Sequence, residues 1–170
     1  MSIDEPTYEL RNRDIAILRE LARDPGVSSR ELATILEAEY DIDISYVTVN
    51  KSVRRMREAG VFREAVIPNE GYFVFELLEF KFNPEYFEET WRDTMEHIRG
   101  SRHTLLYFLS DGEYQWKAIM MYSSREQAER WLHEFYKEHG KTVLNVRSSI
   151  MSNVLKFGAD PDLFDELDED

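Results

Sequence analysis

The chain has no cysteine, which removes disulfides, thiolate metal sites, iron–sulfur clusters and cysteine nucleophiles from consideration. No apolar run approaches the ~18 residues of a membrane-spanning helix. The opening residues Met1-Ser2-Ile3-Asp4-Glu5 are acidic and lack the shape of a signal peptide, so a cytoplasmic location is the reading that follows. Catalytic and cofactor signatures are missing too: there is no GxGxxG, no Walker loop, no GxSxG and no HExxH. No enzyme class and no cofactor is therefore read from motifs. Lysine is scarce, with 6 Lys beside 15 Arg.

What is present is a chain of 170 residues, 42% hydrophobic and 13% aromatic, enough to build a sizeable core in one domain or two small ones. Its 34 acids outnumber 21 bases, for a net charge of −13. Taken alone, that balance argues against nucleic acid, because phosphates would be repelled. An acid-rich, lysine-poor composition is also that of salt-adapted proteins. At ~1 M salt the Debye length shrinks to ~3 Å, and local patches rather than the total charge decide what binds. A halophilic source is the expectation.

Hydrophobic spacing divides the chain into two patterns. Asn12 caps a helix that runs to Arg23, with Ile15, Leu18, Leu21 and Ala22 on one stripe, and Asp24-Pro25-Gly26 ends it. Ser28 and Glu31 form a capping box for a second helix with Leu32, Ala33, Ile35 and Leu36 inward. After a short connection, Asp41 to Ile44, Ser45 caps a third helix through Ala59. Val49, Val53 and Met56 point inward and Gly60 takes the position that needs positive φ.

Beyond Gly60 the period shortens. Val61–Ile67 and Tyr72–Phe82 read as strands around a Pro68-Asn69-Glu70-Gly71 turn. Asn83-Pro84 opens a helix with Phe87, Trp91, Met95 (or Thr94) and Ile98 inward. Thr104–Leu109 and Glu113–Tyr122 read as strands joined at Asp111-Gly112. Ser123-Ser124-Arg125-Glu126 reads as a second capping box, and its helix carries Ala128, Trp131, Leu132, Phe135 and Tyr136 to Gly140. A last strand or pair of strands begins at Thr142. The fold class is α+β: an N-terminal winged helix-turn-helix over residues 1–71, then a ferredoxin-like βαββαβ dimerisation domain over 72–158. Residues 159–170 form an acidic tail; with seven acids from Asp160 to Asp170 it reads as solvated and disordered.

The third helix is the most informative stretch. From Ser45 to Arg57 it has four bases (Lys51, Arg54, Arg55, Arg57) and no acid, inside an otherwise negative chain. Opposite its core stripe it presents Tyr46, Val47, Asn50, Lys51 and Arg54. A helix fits the major groove, where Asn, Lys and Arg match adenine and guanine edges. Thr48 and Arg55 flank that face and suit phosphates. The same pattern is also that of an ordinary amphipathic helix with its charges in water. Arg63 is the wing's only base, so the wing is a weaker contributor.

The aromatics Phe73, Phe75, Phe80, Phe82, Tyr107, Phe108, Tyr114, Trp116 and Tyr122 fall on the expected strands. A four-stranded sheet with helices on one face leaves the other bare. That face is too apolar to stay so, which predicts a homodimer through the sheet; a ligand pocket is the competing account. The histidines, His97, His103, His133 and His139, have nearest pairs six apart, on opposite sides of a helix. They read as surface or end-of-helix residues, and no metal site is assigned.

With both halves placed, the chain resembles the Lrp/AsnC family of transcriptional regulators in its archaeal form. The matching residues are Asp14-Ile15-Ala16-Ile17-Leu18, Arg30-Glu31-Leu32-Ala33, Ser45-Tyr46-Val47-Thr48-Val49, Val53-Arg54-Arg55-Met56 and Ala59-Gly60-Val61, with Asp111-Gly112-Glu113-Tyr114 at the family's Gly-x-Tyr turn. The resemblance implies dimers or larger assemblies and palindromic operators. It also implies an amino-acid effector near the strand turn, at Asp111, Gly112 and Gln115. Gln115 replaces an acid the family often has there, and the connection from Ala38 to Ile44 is longer than the family's turn. The resulting expectation is a sequence-specific DNA-binding regulator with double-stranded DNA as partner. The rivals are a dimeric ferredoxin-like oxidative enzyme using His103 or Tyr107, and a winged-helix module that binds protein.

Overall fold

A computed structural model describes residues 8–167, apart from the side chain of Asp165. The start of the acidic lead-in and the last three residues of the tail lie outside the described residues. The chain forms α1 (Asn12–Arg23), α2 (Ser29–Tyr40), α3 (Tyr46–Glu58), β1 (Val74–Phe82), α4 (Phe87–Gly100), β2 (Thr104–Leu109), β3 (Trp116–Tyr122), α5 (Arg125–His139), β4 (Val143–Met151) and a 3-10 helix (Pro161–Leu167). These sort into two compact units. One comprises the chain up to Val66 together with the segment from Lys156 onward; the other runs from Ile67 to Leu155.

The first unit is built on the three helices. Ala16, Ile17, Leu18, Leu32, Leu36, Val49 and Met56 form its buried core. The capping box opens α2 as its sequence predicts: the Ser28 N–H donates to Glu31 Oε2 at 2.9 Å, and the Glu31 N–H donates to Ser28 Oγ at 3.3 Å. Hydrogen bonds to the Glu31 carboxylate from the Ser28 side chain and, second, from the Ser28 backbone N–H hold it below the usual carboxylate range. Helix α1 starts differently. Its cap is Arg11, whose N–H donates to Asp14 Oδ2 at 3.3 Å, while the Tyr8 hydroxyl donates to the same oxygen at 3.2 Å. Asp14, fully buried, thus does part of the capping work given to Asn12.

Two expectations about this unit fail. No wing hairpin forms. Residues 62–69 have no strand structure, and the turn falls at 69–72, where the Tyr72 N–H donates to the Asn69 carbonyl at 3.0 Å. A β-branched run becomes a strand only with a neighbouring ladder, and the strand after the turn has spent both of its edges elsewhere, on β3 and β4. The acidic tail is not free in solvent over its described length either. Residues 161–167 coil beside α1, and Phe164 packs on the helical core. Phe164 is the apolar residue among the acids that docks, while Leu163 and Leu167 stay about half exposed. The compact helical unit extends to Val66 and takes in the segment from Lys156 onward.

The second unit is the βαββαβ sandwich. Its sheet has the order β2-β3-β1-β4, antiparallel throughout. Both helices lie on one face, over Leu78, Phe80, Trp116, Ala118, Met120 and Tyr122, with Ile98, Trp131 and Phe135 supplied from above. Thr90–Thr142, Thr94–His139 and Ser101–Trp131 hydrogen bonds at 2.6, 3.1 and 3.2 Å show that α4 and α5 run antiparallel.

Local boundaries shift for physical reasons. Asn83-Pro84 makes a separate turn, with the Tyr86 N–H on the Asn83 carbonyl, and α4 begins only at Phe87. The β2–β3 connection is Ser110–Gln115, closed by the Ser110 N–H donating to the Gln115 carbonyl at 2.8 Å, rather than a two-residue turn. At α5 the cap moves one residue on: Ser124 Oγ accepts from the Gln127 N–H, and Gln127 Oε1 accepts from the Ser123 N–H at 2.8 Å. Gln127, not Glu126, completes the exchange.

Candidate nucleic-acid interface

Helix α3 is placed by its two ends. Asp41 closes α2 in the left-handed region at φ 56°, which a short polar side chain tolerates. The Ile42 N–H then returns to the Leu36 carbonyl at 3.0 Å. Ile42 and Ile44 alternate inward onto the core while Asp41 and Asp43 face out. The long connection is thus a two-point attachment. Ser45 Oγ then accepts from the Thr48 N–H at 3.3 Å and starts α3. Gly60, at φ 73°, ends it, and the Val61 N–H reaches back to the Met56 carbonyl.

Val49, Ser52 and Met56 are buried and Val53 is half-buried, so one side of α3 is committed to the core. The other side is free. Tyr46, Val47, Asn50, Lys51, Arg54 and Arg55 are exposed and Thr48 is half-buried. All the α3 residues singled out from sequence therefore lie on or beside one outward strip. Arg63 is exposed too, but on the irregular segment after α3, without the hairpin that was to carry it. Tyr46 and Val47 stay 49% and 45% exposed, an unusual setting for large apolar groups.

The cations on this strip are not equivalent. Arg57 is held by Glu64 at 2.6 Å, and Arg54 is loosely paired with Glu58 at 3.7 Å. The Arg30 guanidinium, from α2, lies 5.3 Å from the centre of the Tyr46 ring. Sequence spacing could not show this contact; it extends the basic character onto α2. Lys51 and Arg55 form no ion pair among the described residues.

The residues expected around an effector, Asp111, Gly112 and Gln115, are all exposed on the β2–β3 loop. The loop is anchored by neighbours that spacing did not flag. Glu113 pairs with Lys81, which lowers the carboxyl's pKa and raises the amine's. The Tyr114 hydroxyl accepts from Asn145, and the Arg147 guanidinium lies 4.3 Å from the Tyr114 ring centre. A separate groove of about 590 Å³ opens beside α4, lined by Phe87, Glu88, Trp91, Met95, Tyr107, Phe108, Leu109 and Trp116. The Tyr107 hydroxyl there is shielded from solvent with no hydrogen-bond partner among the described residues, and burial drives its pKa upward.

The bare sheet face carries less aromatic surface than sequence reasoning placed on it. Phe80, Phe82, Tyr107, Trp116 and Tyr122 all turn toward the helices. The register leaves Phe75, Leu77, Leu106, Phe108, Ile119 and Met121 on the other side, with an ion cluster in which Glu79 meets Lys117 at 3.3 Å and Arg147 at 3.6 Å. His103 is committed structurally. Its Nδ1–H donates to the Met121 carbonyl at 3.0 Å, and its Nε2 accepts from Arg102 at 3.4 Å.

No protein-family model and no curated protein sequence matches the chain. Solved structures do. E. coli AsnC superposes with a TM-score of 0.65 at 17% identity, over 88% of this chain and 97% of that one. A transcriptional regulator from Neisseria meningitidis, solved as an L-Met complex, gives 0.68 at 15% identity over 89% and 96%. An AsnC family transcriptional regulator from Agrobacterium tumefaciens gives 0.67 at 14% identity over 88% and 94%. The chain shares the fold of these regulators across nearly their whole length: a helix-turn-helix followed by a ferredoxin-like domain.

Proposed function

We propose that the protein is a sequence-specific DNA-binding transcriptional regulator, not an enzyme, acting as a homodimer or larger assembly. The observation that carries this reading is the outward strip of α3, a cationic and amide-bearing helix face on a body of net charge −13. Asn50, Lys51 and Arg54 read base edges, and Tyr46 and Val47 pack against thymine methyls or sugars. Thr48 and Arg55 hold phosphates, with Arg63 a peripheral contact. The fold shared with known regulators supports the same reading.

Pairing through the bare sheet face buries Leu77, Leu106, Phe108 and Ile119, and brings two copies of α3 to successive major grooves about one helical turn apart. A small-molecule effector acts through the β2–β3 loop at Asp111, Gly112 and Gln115, where a neutral amide favours ligands other than a simple amine. The source is archaeal and halophilic, and the protein works in the cytoplasm at high salt, where its net charge is screened.

Selection of random duplex DNA against the purified protein at molar KCl tests this. A palindromic motif, lost on Arg54→Ala, is the expected result; failure to enrich any motif would overturn the assignment. A melting temperature that does not rise between low salt and molar KCl would remove the halophilic part alone.

A further inference from the structure

The histidines treated one by one in the sequence are not isolated in space. His97 on α4 and His139 at the end of α5 meet across the antiparallel helix pair, with His139 Nε2 3.0 Å from His97 Nδ1. Glu138 closes the third side, its Oε2 3.3 Å from His97 Nδ1 and its Oε1 3.9 Å from His139 Nε2. Three potential ligand atoms thus converge from two elements.

The arrangement is supported from behind. His139 is buried, and its Nδ1 lies 3.1 Å from Thr94 Oγ1. Thr94 is fully buried and spends its only proton on the Thr90 carbonyl at 3.2 Å. Its oxygen can then only accept, so Nδ1 of His139 must carry the hydrogen and Nε2 must present its lone pair to His97 and Glu138. An imidazole fixed by a hydrogen bond on its far nitrogen is how proteins hold a metal-binding histidine. The His97 ring is set edge-on to Trp131 and Phe135, at centroid distances of 5.9 and 5.7 Å. The site also sits at the C-terminal end of α5, where the helix dipole favours positive charge.

We propose that His97, His139 and Glu138 bind a divalent transition metal ion of the zinc class, which clamps α4 to the end of α5. Two imidazoles and one carboxylate are a suitable donor set for Zn²⁺ or Co²⁺. In a tetrahedral site with ~2.0–2.1 Å bonds, two ligand nitrogens stand ~3.3–3.4 Å apart. The pair needs to open by only a few tenths of an ångström, with the ion taking the place of the hydrogen between the rings. Water fills the fourth position, since His97 and Glu138 remain partly open to solvent.

The test is a Co²⁺ titration of the full-length, tag-free protein after EDTA treatment, read by visible absorption and followed by Zn²⁺ competition. One Co²⁺ per chain is expected, with tetrahedral d–d bands between about 500 and 700 nm that Zn²⁺ abolishes. Zn²⁺ should raise the melting temperature. Glu138→Gln, at an exposed position, should weaken binding at least tenfold, and His97→Phe, which keeps the aromatic packing, should abolish both the bands and the thermal shift. Absence of the bands in the parent, or their survival in both variants, would overturn the proposal. The circular dichroism spectrum of each variant establishes that it is folded, so loss of binding is not mistaken for unfolding.

Discussion

Arg55→Gln probes the cationic strip quantitatively. Arg55 is exposed on α3, lies outside the core stripe of Val49, Ser52 and Met56, and forms no ion pair among the described residues. Arg and Gln have similar helix propensities, so the substitution changes charge with little effect on the helix itself. In a two-fold complex it occurs twice. If each Arg55 neutralises one phosphate, the slope of log K against log salt loses about 0.9 per contact, or about 1.8 in all. Across a tenfold rise in KCl the variant should therefore lose about 1.8 fewer decades of affinity than the parent. Fluorescence anisotropy on the selected duplex and a scrambled one measures both slopes. The ratio of specific to scrambled affinity should be unaltered, because a phosphate contact carries no sequence information. An identical slope in parent and variant, with the helix content of both verified by circular dichroism, would refute the placement of Arg55 on the DNA backbone.

Other consequences follow from the packing. Phe135 is fully buried, with its ring 5.4 Å from Phe80 and 5.0 Å from Trp131, so Phe135→Ala should cost about 3–5 kcal/mol in urea melts. Ser28→Ala removes the cap of α2 and should cost about 1 kcal/mol by the same measurement. The Glu31 carboxyl titrates below its unfolded value, so its contribution is present above the usual carboxylate range and lost as pH falls through the folded pKa. The parent should lose stability faster than Ser28→Ala on acidification. Phe164→Ala should lower stability by about 1–2 kcal/mol, since Phe164 packs on the helical core; no change would return the tail to solvent.

Most of the elements could be read locally, and the reason is physical. Ser28 and Glu31 are three apart and satisfy each other's amides; Val49, Val53 and Met56 share a stripe because a helix turns every 3.6 residues. The outward face of α3 was legible for the same reason, as the complement of that stripe. The misplaced features depend on partners distant in the chain. Val61–Ile67 has strand composition but no ladder to join. Alternation along β1 and β3 separates two faces without saying which one the helices cover, and only the tertiary structure turns Phe80, Phe82 and Trp116 toward them. Phe164 was hidden among acids that say nothing of its docking site.

The sequence by itself determined the helices, the caps of α2 and α3, the βαββαβ order and the cationic strip, because each is set by residues within a turn or two of one another. Only the tertiary structure decided the absence of the wing, the return of the tail to the helices and the meeting of His97 with His139, 42 residues apart. Such contacts arise where the burial of many side chains brings separate segments together, and no local spacing encodes them.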